Sequence, residues 1–505
     1  MKRTAFYFLF IHEINSNFKS GKYMFVLIVS CIIALVFAFL QTTDFADRLN
    51  NYQHEKIKLN EKSNQMKVYS EAEKILLFKP NPLSIFSKGF DEKVGNKMII
   101  SATDIPELRN ESQQKNPFLS IFTGFDTISI VTFLISLLVF LTVSNGISEE
   151  KEKGTLKLIF SNSVSKSEYF LSKYCAYLIL SILPVVILFL CNILFILLNN
   201  QISLTLIEYV RILFLFLASV LFISIITIIG LIVSYCSNTV QKSVILNLSI
   251  WLIFLFIYPS LVGLIAFSDN KIDSQQTKKE IEQIKKDFLV YSMKLNDELY
   301  HNKDRDGFYT IQFEDPYLSI LVKVTDVTQK YHYEFLEEYN KRALPELFTM
   351  QYKIINLQKN YRNNLYKKNK TFNNYTFFLP TTSFANVSEK LACTDLYSRY
   401  EFIIQKGIDY RELFLEYLKS RDAFGLKFFT QMPRHEMKDD MNEYVIDESS
   451  KLLYQNYGVI SVDDFPEFNY QYTEFFPQEL FVLIFLNIIL FVGFLFVSNS
   501  KTNLL

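Results

Sequence analysis

Six apolar runs alternate with polar stretches along this 505-residue chain, at residues 23–42, 127–147, 174–198, 210–235, 244–267 and 479–497. A hydrocarbon core of about 30 Å takes roughly 20 residues of helix at about 1.5 Å each, so every run predicts one spanning helix. Charge is nearly absent inside them. Arg211 and Glu479 sit near run ends, where a long side chain can reach the interface. Helix is the only economical conformation here, because unsatisfied peptide groups are costly in lipid. The polar stretches 43–126 and 268–478 are the other large features. Within them, residues 55–77, 278–301, 319–366 and 395–421 place apolar residues at helical spacing, and Lys79-Pro80-Asn81-Pro82 breaks the first of these patterns. The pattern as a whole predicts an all-α polytopic membrane protein, with a mainly helical outer domain built from both insertions and containing a few short strands.

Basic residues set the orientation. Lys2, Arg3, Lys19 and Lys22 precede the first run, and Lys151, Lys153, Lys157, Lys166 and Lys173 lie between the second and third. Lys242 and Lys501 fall on the same side, while the loop 199–205 has neither Lys nor Arg. Both termini are therefore expected in the cytoplasm. In chain order this gives a cytoplasmic interfacial helix at 1–22, a first extracytoplasmic insertion at 43–126 and a cytoplasmic loop at 148–173. A short external loop at 199–209, a cytoplasmic loop at 236–243, a large extracytoplasmic domain at 268–478 and a cytoplasmic tail at 498–505 follow. The interfacial reading of 1–22 rests on Phe6, Phe8, Leu9, Phe10, Ile14 and Phe18 beside His12, Glu13 and Lys19.

Composition narrows the chemistry. With 52 basic and 52 acidic residues the formal net charge is zero, so no nucleic-acid partner is expected. Cys31, Cys175, Cys191 and Cys236 lie in or beside apolar runs and Cys393 stands elsewhere, which leaves no disulfide framework and no cysteine zinc site. The first run ends Phe39-Leu40-Gln41-Thr42 without a small-residue cleavage site, which reads as a retained anchor. No Gly-x-x-x-x-Gly-Lys-Ser/Thr pattern and no Gly-x-Ser-x-Gly elbow occurs. No catalytic, cofactor or metal residues are therefore assigned, and any nucleotide site belongs to another chain. Asn302, Asp304, Asp306 and Gly307 open like a calcium loop, but its twelfth position is Phe313, which makes a solvated turn the better reading. His435-Glu436 near Asp439 and Asp440 reads as a charged surface loop. Pro184 and Pro259 are expected to kink their spans.

The most informative stretch is 149–173, EEKEKGTLKLIFSNSVSKSEYFLSK. Leu156, Ile159 and Phe160 share one helical face, suited to a groove on a cytoplasmic partner; an interfacial loop dipping into lipid has the same composition. Glu150, Glu152, Gly154, Thr155, Leu156, Val164, Ser165, Lys166 and Lys173 stand where type-2 ABC exporter permeases carry Glu, Gly-Thr-Leu, Val-Ser-basic and a Lys entering the third helix. The chain resembles that family. Pro82-Leu83-Ser84-Ile85-Phe86 with Gly89, and Asp126 opening the second span, resemble the bacterial subgroup with a large extracytoplasmic domain. Asn162-Ser163 departs from its usual proline.

The resemblance implies that 148–173 is a coupling helix docking on an ATPase, with Glu150, Glu152, Gly154, Thr155, Leu156, Ile159, Phe160, Val164 and Lys166 as its contact set. It further implies two copies of a P-loop ABC ATPase holding ATP and Mg, and a second permease subunit, identical or related. The expected location is a bacterial inner (cytoplasmic) membrane, the expected task export. A device that works on an extracytoplasmic partner without transport is the alternative.

Overall fold

A computed structural model describes residues 2–63, 73–91, 94, 96–102, 104–109, 124–161, 164–268, 270–301, 330–420, 435–437, 444–446 and 477–499. The calcium-loop-like residues 302–307 and Asn162-Ser163 lie outside this set.

The chain opens with helix α1 (Lys2–Lys19), which turns at Ser20 into α2 (Gly21–Ser63). The second span is α3 (Thr127–Ile130), a π turn (Val131–Ile135), α4 (Ser136–Val143) and α5 (Asn145–Glu152), followed by the short α6 (Thr155–Ser161). Next come α7 (Lys166–Leu198), α8 (Leu206–Cys236), α9 (Val240–Leu252), a second π turn (Ile253–Ile257) and α10 (Tyr258–Ala266). Six helices among the described residues are long and apolar enough to cross a membrane; the last is α15 (Gln478–Asn499). Their starts are set by side chains that satisfy the free amides of a first turn. Asp126 accepts from the Ser129 amide at 2.7 Å, and Ser165 with Glu168 and Thr205 with Glu208 form capping boxes.

At about 1.5 Å per residue α2 is far longer than a bilayer core is thick, so its last turns stand clear of the bundle. There it meets a polar module at the end of the bundle opposite α6. Strands β1 (Glu73–Leu77), β2 (Lys97–Ser101) and β3 (Glu107–Arg109) form an antiparallel sheet in the order β1-β2-β3, with Glu73 opposite Ser101 and Lys97 opposite Arg109. Helices α11 (Asn270–His301), α12 (Lys330–Tyr375) and α14 (Phe402–Ser420) cover it. Leu76, Phe78, Met98 and Ile100 from the first insertion share one core with Phe288, Leu347, Ile354, Ile403 and Phe414 from the second. Among the described residues the two insertions share this core, which agrees with the expectation of one mainly helical unit with short strands. A further hairpin pairs β4 (His435–Met437) with β5 (Tyr444–Ile446), and His435-Glu436 belongs to it.

The Pro-Leu-Ser-Ile-Phe element is the joint between module and bundle. Asn81 caps the 3-10 turn Pro82–Ile85 through the Leu83 amide and donates to the Ala392 carbonyl at 2.6 Å. Gly89 has φ +47, and a Cβ there would stand 2.5 Å from the Thr394 carbonyl oxygen, so a side chain is excluded on both counts. Around this turn Lys88 reaches Asp44 at 2.9 Å, Arg48 reaches Asp91 at 2.9 Å and Arg399 reaches Asp91 at 2.8 Å.

One stretch departs from the simple division into bundle and polar mass. The sequence pattern puts all of 268–478 beyond the bundle, yet helix α13 (Pro380–Ala392) packs between α8, α15 and the π turn that follows α9. Phe384 stacks on Phe222 at 4.6 Å between ring centroids, and Phe222 stands midway along α8. Thr381 donates to the Phe254 carbonyl at 2.9 Å, midway along the fifth span, where the π turn loosens the helical bonding. The other end of α13 is held near the bundle rim, where Arg211 donates to the Leu391 carbonyl at 2.7 Å and Lys390 pairs with Glu479. Helix α12 and α13 thus form a hairpin that dips halfway into the bundle and returns.

Candidate coupling site

Helix α5 carries Glu149, Glu150, Lys151, Glu152 and Lys153 in succession. Successive residues on a helix point about 100° apart, so three neighbouring charges address three different surroundings. Glu150 faces α7: it accepts from the Lys173 ammonium at 2.8 Å and from the Tyr169 hydroxyl. Lys173 is 6% exposed and also donates to Glu13 of α1 at 2.6 Å, so one buried cation joins α1, α5 and α7. Lys151 donates to the Tyr235 carbonyl in the last turn of α8 and lies 4.4 Å over the Tyr235 ring. Glu152 accepts from the Val240 amide at 2.9 Å, in the first turn of α9. A cation at a helix C-terminus and an anion at the next N-terminus both complement the helix dipoles. Glu149 pairs only locally, with Lys153, and that hydrogen bond holds the Lys153 ammonium above its ordinary pKa.

Lys153 ends the helix and Gly154 reverses the chain at φ +72, a conformation that suits glycine. Its amide bonds back to the Lys151 carbonyl at 3.1 Å, and Thr155 donates to the Glu150 carbonyl at 3.2 Å. Helix α6 therefore leaves α5 at a fixed angle.

Leu156, Ile159 and Phe160 do share one face of α6, as their spacing predicts, but that face turns inward. Leu156 is 3% exposed, and Ile159, Phe160 and Val164 pack against the bundle core. The Phe160 ring meets Tyr169 edge-on at 5.3 Å. This packing takes up Leu156 fully and Ile159 and Phe160 in part, the latter two keeping some of their surface exposed. The outward face of α6 consists of Lys157, Leu158 and Ser161, with Leu158 65% exposed. Lys166 is half-buried at the start of α7. Of the contact set expected from sequence, Glu150 and Glu152 bond to neighbouring helices, Gly154 and Thr155 shape the turn, and Leu156, Ile159, Phe160 and Val164 anchor it.

Sequence reasoning missed Glu13, Lys151 and Tyr169 as members of this site, and Leu158 as its exposed apolar residue. The signal for the first was faint: it is the one acidic residue of α1. Between α1, α6 and α7 a cleft of about 160 Å³ remains, lined by Phe8, His12, Glu13, Ile159, Tyr169 and Lys173 among others. What the arrangement can do is mechanical. A push on α6 reaches α1 and α7 through Glu150, the end of α8 through Lys151, and the start of α9 through Glu152.

A family model described as ABC-2 family transporter protein matches residues 8–335, more than half of the chain. That stretch holds five of the six spans and the whole of α5 and α6. No curated protein matches the chain.

Proposed function

The chain belongs to the ABC-2 family of transporter proteins, and on that premise we propose that it is the permease subunit of an ATP-driven exporter, working with two copies of a separate P-loop ATPase. ATP and Mg are held by that ATPase. A second permease, identical or related, completes the assembly, and both termini face the cytoplasm of a bacterial inner membrane. Closure of the ATPases moves α6, and the bonds of Glu150, Lys151 and Glu152 carry the movement into α1, α7, α8 and α9.

The observation that carries this reading is the divergence of those three consecutive side chains to three separate helix contacts directly before the Gly154 turn. An ordinary interfacial loop needs no such anchoring. The docking surface is the outward face of α6, with Leu158 as its apolar centre and Lys157 and Ser161 beside it. Replacing Leu158 with Glu should abolish copurification of a tagged ATPase while leaving the permease monodisperse, since the side chain is 65% exposed. Undiminished copurification sinks the docking assignment.

A second reading, in which the motion serves an extracytoplasmic partner without substrate movement, draws support from α2, which runs unbroken from the bundle into the polar module. ATP hydrolysis by the assembly in liposomes separates the two. Stimulation by a transported compound favours export; stimulation by an added extracytoplasmic protein favours the second reading.

A further inference from the structure

The second span is interrupted one turn before the coupling arm, at Ser144, between α4 and α5. In an unbroken helix the Ser144 carbonyl accepts the Ser148 amide. Here the amides of Ile147 and Ser148 both donate to the hydroxyl of Ser234 on α8, each at 3.0 Å. The Ser144 carbonyl accepts three hydroxyls: Ser148 at 2.6 Å, Ser234 at 2.8 Å and Ser243 of α9 at 2.8 Å. All four serines are fully buried. Packing is close around this level: a Cβ on Gly146 of α5 would stand 2.9 Å from the Tyr177 ring of α7, and one on Gly230 of α8 would stand 3.1 Å from Val143 of α4.

We infer that Ser234 and Ser243 form a hydroxyl clasp that makes Ser144 the hinge of the coupling arm, so that α5 and α6 swing as one lever against α4. This rests on the reading that α6 receives motion from an ATPase.

The physical case has three parts. First, a peptide group bonded to hydroxyls keeps its partners through a bend, because a serine Oγ rotates about χ1 and serves as donor and acceptor at once. Helix-to-helix amide bonds have no such freedom, and breaking them in a buried place leaves unsatisfied groups. Second, the clasp draws one hydroxyl from α8 and one from α9, the helices whose ends Lys151 and Glu152 grip. The lever and its bearing are thus bonded to the same two helices. Third, Asn247 lies one turn beyond Ser243 on α9, 1% exposed, and among the described residues neither end of its amide has a partner. A buried amide left so is costly, and movement of the arm beside it is one way to supply its partners.

The test uses the full permease with its ATPase in nanodiscs, spin-labelled at Lys153 on the arm and at Leu217 midway along α8. Distances are measured without nucleotide and with ATP trapped by vanadate. The unsubstituted labelled protein should change distance. In Ser234→Ala the change should fall to less than half, with Ser243→Ala between the two because it removes one bond of the clasp. Ser219→Ala is the control: this buried serine of the same helix bonds only to its own Leu215 carbonyl, at 2.8 Å, and should move as the parent does. Should Ser234→Ala fail to fold, Ser243→Ala and Ser234→Cys carry the comparison. Full movement in Ser243→Ala and in either Ser234 variant, or equal loss in Ser219→Ala, overturns the hinge alone. No movement in the parent overturns the coupling reading, and the hinge with it.

Discussion

Replacing Lys173 with Met should destabilise the permease, and replacing Glu13 and Glu150 with Gln at the same time should restore most of the loss. Lys173 is nearly inaccessible and lies between two carboxylates at 2.6 and 2.8 Å. Removing one partner from a buried ion pair costs about 3–5 kcal/mol, most of it from the charge left behind. Here two carboxylates would be left facing each other, but Glu13 and Glu150 keep side-chain exposures of 12% and 23%, which places the cost near the lower bound, about 3 kcal/mol. For a chain of this size that corresponds to a drop of roughly 3 °C in melting temperature, at about 1 °C per kcal/mol. In the triple variant no charge remains to be solvated, Tyr169 can still donate to the amide at 150, and the expected loss is below about 1 kcal/mol. The single tryptophan, Trp251, gives a fluorescence probe of unfolding, because its indole donates to Ser136 at 3.0 Å between α9 and α4. A Lys173→Met protein that melts with the parent, or a triple variant as unstable as the single one, would refute the reasoning.

Two further substitutions probe how the polar module and the re-entrant hairpin are held. Phe384→Ala removes a fully buried ring stacked on Phe222, which should cost about 3–5 kcal/mol in thermal unfolding, whereas Phe378→Ala, at an exposed ring of the same hairpin, should leave the melt unchanged. Gly407→Ala places a Cβ 1.9 Å from the Met98 sulfur and should cost about 1–3 kcal/mol by overpacking; pairing it with Met98→Ala should make the two effects less than additive, and strict additivity would show that α14 does not bear on β2 there.

The six spans were legible because length and apolarity alone decide them. The helical spacing of 55–77 foreshadowed the last turns of α2 but not their continuity with the span, since apolarity marks where lipid ends rather than where a helix ends, and residues 73–77 of that stretch form β1 instead. The dip of α12 and α13 left one trace, an uncharged run at 371–388 between Lys370 and Glu389, but its Asn, Thr and Ser residues and its 13-residue helix fall short of any spanning pattern. At the coupling site the period of α6 showed which residues share a face and could not show which neighbour that face meets. Glu13 and Lys173 stand 160 positions apart, and no local rule pairs them. The serine clasp is invisible for the same reason: each serine alone is an ordinary buried hydroxyl, and only the packing of α4, α8 and α9 makes one carbonyl their common acceptor.

The joint with the polar module and the bend at Ser144 are made by opposite kinds of bond, and that difference bears on how motion would travel. At the joint with the polar module, Asp44, Asp91 and Asp126 meet Arg48, Lys88 and Arg399, with Asp126 taking the Lys88 amide at 2.7 Å. Sliding any one of these groups away leaves a desolvated charge, so the joint resists shear and passes movement on as rigid rotation. At Ser144 the contacts are neutral hydroxyls that can follow a carbonyl through small angles and keep their bonds, while the charges of Lys173, Glu13 and Glu150 lie beyond the bend. On the proposed drive from α6, the bend falls at Ser144 and the joint at Asp44 and Asp91 holds firm. The polar module would follow α2 as a body, and the hairpin tip at Phe384 would shift only as far as α8 does. An ATP-driven change measured between two labels inside the polar module should accordingly be much smaller than one measured across Ser144. A larger change within the module would mean that the charged joint, not the serine clasp, is where this protein bends.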